Sequence, residues 1–254
     1  ARRQRQMCIR DRTTPGQIQF WNGGTTNPDG TITGGSGTWG PGTNWTDPTG
    51  TQGQASNNQF AVFGGQGGTV TVVGNQGFTG LQFLDPGYTL TAGAGGTLSP
   101  TGAAVVRVNS GVTTEVAAPI VGAGSINKLD AGTLLLTGAN TYSGGTTVSG
   151  GTLAGNTLSL QGRILNNAQL LFVQPTNGTF NGVLSGTGSI TKQGAGALLL
   201  TGNQPFSGTV AVDQGVLQVG NAANPGAVFG GQVTVANGAG LTGNGSVGAL
   251  VNNG

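Results

Sequence analysis

Few residues of this chain carry side chains suited to acid–base or nucleophilic chemistry. The sequence has no His and a single Cys among its 254 residues. Without His there is neither Ser-His-Asp nor Cys-His catalysis and no imidazole-bound metal, and one Cys forms neither an internal disulfide nor a zinc site. We therefore expect no catalytic residue, no metal site and no cofactor.

Carboxylates are the remaining candidates, because glycosidases use pairs of Asp or Glu. After residue 12 no two acids form an Asp-Asp or Asp-x-Asp pair. Stacking of distant segments would still bring Asp130 near another acid in some folds, so a polysaccharide hydrolase or lyase stays open as the alternative to a non-enzymatic protein. The acids of this region are Asp29, Asp47, Asp85, Glu115, Asp130 and Asp213.

Three tryptophans are candidates for ligand contact. Trp21, Trp39 and Trp45 lie close together in the sequence and are the 3 Trp of the chain. They suit a platform on which sugars stack, and they equally suit an aromatic cap over the end of a hydrophobic core. We expect the cap.

Two lysines and two leucines recur at equivalent positions of a repeat described below. Lys128 and Lys192 either form a ladder that binds anions or glycans, or lie solvated at strand ends, where a lysine discourages edge pairing. We expect them to be solvated. Leu135 and Leu199 each stand between two leucines that alternation turns inward, so we expect both to point outward and to offer an apolar contact for association between copies.

The first twelve residues, ARRQRQMCIRDR, differ in composition from the rest. They hold five of the nine Lys and Arg together with the lone Cys and the lone Met. We interpret residues 1–12 as a cloning or assembly scar. From residue 13 onward four basic residues stand against six acidic ones, a net charge of 4 − 6 = −2, so no basic footprint for nucleic acid remains.

An internal repeat indicates the elements that position these residues. Residues 122–153 align without gaps to residues 186–217, with 17 identities in 32 positions. Within each copy, runs of four or five β-branched residues or leucines alternate with Gly, Asn or Pro, which is typical of short strands and tight turns. The defining residues are Gly124, Lys128, Gly132, Leu134, Leu136, Tyr142, Ser143 and Gly144 in the first copy, and Gly188, Lys192, Gly196, Leu198, Leu200, Phe206, Ser207 and Gly208 in the second.

The repeat and the 53 glycines predict an all-β fold, a right-handed parallel β-helix with coils of about 21 residues. The offset from residue 122 to residue 186 then makes about three coils, which would place Leu135 and Leu199 three coils apart. We assign residues 13–60 to a cap-like N-terminal region and residues 61–254 to the β-helix, truncated at its C-terminus.

The string GSINKLDAGTLLLTGANTYSGGTTVSGGTL resembles the passenger-associated transport repeat of bacterial autotransporters, and GSITKQGAGALLLTGNQPFSGTVAVDQGVL is similar to it but more diverged. Upstream strings such as WNGG and AVFGG are similar to the start of such passengers. The sequence contains neither a signal peptide nor a C-terminal barrel, so we expect a fragment.

The resemblance implies a passenger exported through the outer membrane of a Gram-negative bacterium with the help of a C-terminal barrel of the same polypeptide. It further implies a structural stalk at the cell surface, with adhesion or autoaggregation as its role and with other passengers or host and matrix glycans as partners. A polysaccharide-degrading enzyme and a carbohydrate-binding module are the alternatives.

Overall fold

The computed structural model describes residues 17–24 and 29–253. Within these ranges the chain consists of short β-strands joined by turns, and no helix there has the length and hydropathy to span a membrane. The interpretation of residues 1–12 as a scar lies outside the described residues.

The strands have two to twelve residues each. In chain order they are β1 (Ile18–Trp21), β2 (Gly37–Trp39), β3 (Trp45–Thr46), β4 (Gly53–Gln54), β5 (Phe60–Phe63), β6 (Thr69–Val72), β7 (Asn75–Phe83), β8 (Thr89–Ala92), β9 (Thr97–Val108), β10 (Thr113–Val116), β11 (Ser125–Leu129), β12 (Thr133–Leu136), β13 (Thr146–Val148), β14 (Thr152–Gly155), β15 (Arg163–Asn166), β16 (Gln169–Val173), β17 (Gly178–Phe180), β18 (Val183–Ser185), β19 (Ser189–Gln193), β20 (Ala197–Leu200), β21 (Asn203–Gln204), β22 (Thr209–Val212), β23 (Val216–Val219), β24 (Val228–Val235), β25 (Gly240–Thr242) and β26 (Ser246–Asn252).

These strands stack in three long sheets. Sheet 1 is ten-stranded and runs from β4 and β3 through β1 to β18; sheet 2 is twelve-stranded and includes β6, β12, β19 and β22; sheet 3 is four-stranded, in the order β17-β20-β23-β25. From β5 onward the chain passes repeatedly from sheet to sheet, and strands pair in parallel with those one coil later, about 20 residues along the chain. The result is a β-solenoid of about 10 turns, which confirms the predicted fold class.

Strand alternation fills the interior of the solenoid. In β12 and β20 the second and fourth residues are buried and the others only partly so. Inward residues stack directly on one another from coil to coil, and each fully buried aliphatic side chain contributes about 1.5–3 kcal/mol relative to an exposed one. One such column in sheet 2 is Leu134, Leu153, Leu170, Ile190, Val210 and Val233.

The N-terminal end of the stack differs from the rest in strand direction and in core composition. There β3 pairs antiparallel with both β1 and β4. Its core is aromatic: the Trp21 and Trp45 ring centroids are 5.0 Å apart, and Phe63 packs against Trp39 and Trp45. The fully buried rings of Trp21, Trp39, Trp45 and Phe63 therefore fill the interior at this end of the stack.

Candidate functional site

The two copies of the repeat occupy different sheets. The first copy begins with β11 in sheet 1 and continues with β12 in sheet 2, whereas the second begins with β19 in sheet 2 and continues with β20 in sheet 3. In sheet 1, Leu184 is the residue that lies three coils after Ile126 in the same column. The equivalent of Ile126 in the second copy is Ile190, which follows Leu184 by six residues and lies in the next sheet, sheet 2. The column in sheet 1 is Ile126, Thr146, Ile164 and Leu184.

The offset between the copies is therefore three coils and one further face. The expected offset of about three coils is thus short by one face, because a coil has about 20 residues and the offset between the copies is not a multiple of that length. The first copy runs from β11 into β14 and the second from β19 into β23, so each copy is longer than one coil. The solenoid accommodates it on sheets 1 and 2 in the first case and on sheets 2 and 3 in the second.

Lys128 is at an inward position of β11 and is fully buried, with an exposed fraction of 0 %. Its Nζ donates hydrogen bonds to the carbonyl oxygens of Leu129, Asp130 and Gly150, each at 3.0 Å. The first two carbonyls belong to the corner between β11 and β12, and the third belongs to the same corner one coil later. The expectation of a solvated lysine is wrong here, since the corner carbonyls replace water around the ammonium group.

Lys192 repeats this arrangement at a different corner, between β19 and β20. It too is 0 % exposed, and its Nζ donates to the carbonyl oxygens of Gln193, Gly194 and Gln214 at 3.1, 2.7 and 3.0 Å. In both copies the acceptors follow the lysine by one, two and 22 residues. We call each lysine with its three carbonyls an ammonium corner. Neither ammonium group is accessible to an external anion or glycan.

Burial affects the ionisation of both lysines. Desolvation lowers the pKa of Lys128 to about 8, an effect that the negative charge of Asp130 partly opposes. Desolvation also lowers the pKa of Lys192. At neutral pH a pKa of about 8 still leaves Lys128 mostly protonated, so its three N–H groups match the three carbonyl acceptors.

The residue two positions after each lysine has a left-handed backbone. Asp130 has a φ of 64° and Gly194, its equivalent, a φ of 83°. A left-handed conformation is strained for Asp and unstrained for Gly. At the first corner Asp130 also accepts two hydrogen bonds from the Arg107 guanidinium, at 3.0 and 2.9 Å. This ion pair has no counterpart at the second corner, where Gly194 has no side chain.

The glycines that end each corner are required by the close approach of the neighbouring coil. A Cβ on Gly132 would lie 2.3 Å from the Asn109 carbonyl oxygen, and one on Gly196 would lie 2.2 Å from the Thr176 carbonyl carbon. Four further motif glycines are equally tight, with a backbone atom at 2.5 Å or less from the Cβ position: Gly124, Gly144, Gly188 and Gly208.

The aromatic position of the motif fills the interior in both copies. Tyr142 is 3 % exposed and its hydroxyl is 2.6 Å from the Thr146 hydroxyl, while Phe206 stacks on Phe229 with centroids 5.8 Å apart. Burial raises the pKa of Tyr142. The serine that follows is exposed, and its N–H donates to a carbonyl of the preceding coil: Ser143 to Gly122 and Ser207 to Gly186. The leucines at the inward positions, each 1 % exposed, are Leu134, Leu136, Leu198 and Leu200.

The tryptophans are inside the core. Trp21 and Trp39 are 0 % exposed and Trp45 is 1 % exposed. Trp21 Nε1 donates to the Gly35 carbonyl at 2.8 Å, and Trp39 Nε1 donates to the Ser56 hydroxyl at 3.0 Å. Because the rings pack inside the core, they cannot stack on a sugar in this conformation. The alternative of a carbohydrate platform is therefore wrong.

Leu135 and Leu199 point outward but do not share a surface. Both are half-buried, and they belong to sheets 2 and 3 respectively. On the next two coils Leu135 is followed by Ala154, which is only 3 % exposed, and by the half-buried Leu171, and the residue three coils later is Thr191. The expected patch of Leu135 with Leu199 is therefore wrong, because the second copy is turned by one face.

The sequence analysis missed several buried amides, among them Asn140, Asn166, Gln174 and Gln204. The Asn140 Nδ2 donates to the Ser159 carbonyl, and the Asn166 Nδ2 to the Ser189 carbonyl, both at 2.8 Å. Gln174 and Gln204 likewise donate to backbone carbonyls. Strand alternation could have found Asn166, two positions after the buried Ile164 of β15, as it could have found Lys128 two positions after Ile126. Asn140 and Gln174 lie outside the strands and Gln204 is in a two-residue strand, so alternation gives no signal for them.

Among the described residues, no three His, Cys, Asp or Glu side chains come together as a metal site would require. Asp130 is paired with Arg107. The predicted absence of catalytic groups stays a prediction.

A family model described as the passenger-associated-transport-repeat matches residues 126–154 and 190–219. Each matched range contains one whole ammonium corner, from the lysine to its last acceptor, Gly150 or Gln214. The chain is also 34 % identical over 250 residues to the adhesin BmaC autotransporter of Brucella suis biovar 1 (strain 1330). This chain is an autotransporter passenger with transport repeats. Passengers are the part of an autotransporter that is exported through the outer membrane to the cell surface.

The match to the Brucella suis adhesin covers 81 % of this passenger but only 7 % of the adhesin. The passenger therefore corresponds to a short segment of that relative. No solved structure matches it.

Proposed function

We propose that this passenger segment is part of a stalk that carries weak adhesive contacts along its length. Each coil of a solenoid contacts only its neighbours, so the molecule extends in one direction. About 10 turns at roughly 4.8 Å per coil give a rod of about 50 Å. The name of the Brucella suis relative, an adhesin, supports an adhesive role.

A continuous ladder of hydroxyl and amide side chains on the outer face of sheet 2 is the observation that carries this proposal. Each member pairs with the next one coil later, and all are exposed or half-buried. The ladder contains no charged group. Its members are Thr113, Thr133, Thr152, Gln169, Ser189, Thr209 and Gln232.

This ladder is suited to many weak contacts rather than to one tight site. Hydroxyl and amide groups both donate and accept hydrogen bonds, so they suit neutral glycans and other hydroxyl-rich surfaces. Each contact alone competes poorly with water, but contacts repeated along a rigid rod add up through effective concentration.

Adhesion of cells that display the passenger tests this proposal. The ladder variant carries Thr133→Val, Thr152→Val and Thr209→Val, which remove hydroxyls while keeping shape and strand propensity. The matched control carries the same change at outward threonines of sheets 1 and 3: Thr147→Val, Thr179→Val and Thr242→Val.

We expect the ladder variant to lose adhesion to a glycan-coated surface and the control variant to retain it. Equal adhesion of the two variants would overturn the role of the ladder. Circular dichroism of both purified variants establishes that the solenoid is intact.

We further propose that the role is not enzymatic and that the same polypeptide continues to a C-terminal outer-membrane translocator. The pairing of Asp130 with Arg107, rather than with a second acid, supports the first statement. The family of the transport repeat supports the second. Release of reducing or unsaturated sugars from a panel of polysaccharides, lost in Asp130→Asn, would show an enzyme instead.

A further inference from the structure

The three carbonyl oxygens of each ammonium corner surround the lysine Nζ inside the solenoid. At the first corner the distances from the Lys128 Nζ to the carbonyl oxygens of Leu129, Asp130 and Gly150 are all 3.0 Å. Three acceptors around one nitrogen match the three N–H groups of a primary ammonium. A planar guanidinium or a quaternary ammonium does not match this geometry, since the first donates in one plane and the second has no N–H.

The acceptors are backbone groups whose positions depend on the corner and on coil stacking. The two corners use different residues, Asp130 in one and Gly194 in the other, and lie between different pairs of sheets. Nevertheless both place their carbonyls 2.7–3.1 Å from the lysine nitrogen at identical sequence offsets. The repeated element is thus the carbonyl cage together with its cation.

We propose that each ammonium corner is a binding site for a primary ammonium ion, built by the backbone of two successive coils, with the lysine side chain as its tethered ligand. One carbonyl, from Gly150 or Gln214, comes from the later coil. The site is complete only when that coil has docked, so ammonium binding and coil stacking stabilise each other.

Chemical rescue tests this proposal. Lys128→Ala keeps the Cβ and removes three methylenes and the ammonium, which is the volume of n-propylammonium. At pH 7 we expect the variant to melt about 5–10 °C below the wild type, because buried carbonyls lose a charged donor. Added n-propylammonium chloride should raise its melting temperature in proportion to the logarithm of concentration, and should leave the wild type unchanged relative to NaCl.

Two neutral or donor-free probes and one control variant make the result specific. n-Propanol fills the same space without charge, and tetramethylammonium supplies charge without an N–H. Val148→Ala opens a cavity at the inward position beside Lys128 on the next coil, where Lys128 and Val148 are paired. We expect no rescue by n-propanol or tetramethylammonium, and no rescue of Val148→Ala by n-propylammonium.

Hydrogen exchange locates the effect. In Lys128→Ala, amides of the later coil around Thr152 should exchange faster, and n-propylammonium should slow them again. Equal rescue by n-propanol, or rescue of Val148→Ala, would overturn the proposal, because the site would then be only a cavity. An absence of any rescue would overturn it as well.

Lys192→Ala provides a second, independent site, with Val212→Ala as its paired control. If Lys128→Ala does not fold, refolding yield in n-propylammonium against tetramethylammonium replaces the melting temperature as the readout. Equal yields in the two salts would contradict the proposal.

Discussion

The two transport repeats share their local structure and differ in their place in the solenoid. Both bury a lysine on three carbonyls, both bury an aromatic ring, and both close their corner with a tight glycine. Yet the first copy joins sheets 1 and 2, and the second joins sheets 2 and 3. The repeat therefore encodes the ammonium corner, the strands around it and the aromatic residue that follows, and corners between different pairs of sheets accept it.

The copies also differ in one residue that matters to the backbone. Asp130 and Gly194 occupy the same left-handed position, but only Asp130 has a side chain to pair with Arg107. The first corner thus accepts backbone strain and gains a partly exposed ion pair, whereas the second has neither. Variants at equivalent positions test which features belong to the motif and which to its surroundings.

The largest effect is expected from a charge in the core. Leu136→Asp and Leu200→Asp each place an unpaired carboxylate at a position that is 1 % exposed, which lowers the unfolding free energy by about 3–5 kcal/mol. Urea denaturation should show similar losses in both copies, since both positions are inward on their own sheets. Leu135→Asp, at the adjacent outward position, is the control; a loss as large as that of Leu136→Asp would mean that the faces are wrongly assigned.

Exchanging the left-handed residues should give unequal results. Gly194→Asp adds a Cβ 2.5 Å from the Gln174 carbonyl oxygen at a φ of 83°, so we expect a loss of about 2–3 kcal/mol. Asp130→Gly relieves strain and loses a partly exposed ion pair, so the net change should stay within about 1 kcal/mol. Similar losses in the two variants, measured by urea denaturation, would contradict this difference between the corners.

The buried lysines predict a rise of stability with pH. The pKa of Lys128 is about 8 in the folded chain and 10.5 as its ordinary value, so between these values the unfolded chain binds more protons. The unfolding free energy should therefore increase from pH 8 toward pH 10, by about 1–3 kcal/mol, because the three carbonyls offset only part of the cost of removing the charge from water, while an empty cage would leave those carbonyls without any donor. Burial raises the pKa of Tyr88 and of Tyr142. Above pH 10 the folded chain therefore binds more protons than the unfolded chain at these two groups, and the unfolding free energy falls. Urea denaturation between pH 7 and 10 measures the rise.

Lys128→Met serves as the control for this pH dependence. It removes one titrating lysine and leaves Lys192, whose pKa is also lowered. The variant should show a smaller increase between pH 8 and 10 than the wild type. An unchanged pH profile would mean that Lys128 does not titrate in this window.

The smallest effects concern the outward leucines. Half-buried Leu135 and Leu171 lie on sheet 2 on either side of Ala154, which is only 3 % exposed, and form an apolar strip. Leu199 stands between Thr179 and Gln218 on sheet 3. If passengers associate through apolar contacts, Leu135→Thr with Leu171→Thr should reduce autoaggregation of displaying cells more than Leu199→Thr does. Melting temperatures should change by less than about 2 °C in all variants, because surface changes are usually within about 0.5 kcal/mol. A greater reduction in Leu199→Thr would remove the strip as the contact.

Much of the fold was predictable from local patterns. Short alternating runs identify strands such as β12 and β20, and the same alternation identifies Leu134, Leu136, Leu198 and Leu200 as core residues. The matched positions of Gly132 and Gly196 indicated corners. These features depend only on the few residues around them, because strand alternation and turn conformation are local properties.

Local patterns did not predict the burial of Lys128 and Lys192. The alternation in β11 places Lys128 on the same side as Ile126, but an expectation based on charge alone keeps a lysine in water. Burial becomes acceptable only because carbonyls of two coils converge on the ammonium. One of those carbonyls is 22 residues away and is brought into place by coil stacking.

The sequence by itself determined the strands, the corners, the inward leucines and the existence of a stacked repeat. Only the tertiary structure decided which sheet each copy occupies, that the tryptophans are core and that Leu135 and Leu199 lie on different faces. The physical reason is that coil length accumulates along the chain. With coils of about 20 residues, the copy that starts at residue 186 is turned by one face relative to the copy that starts at residue 122, and no residue within either copy records that rotation.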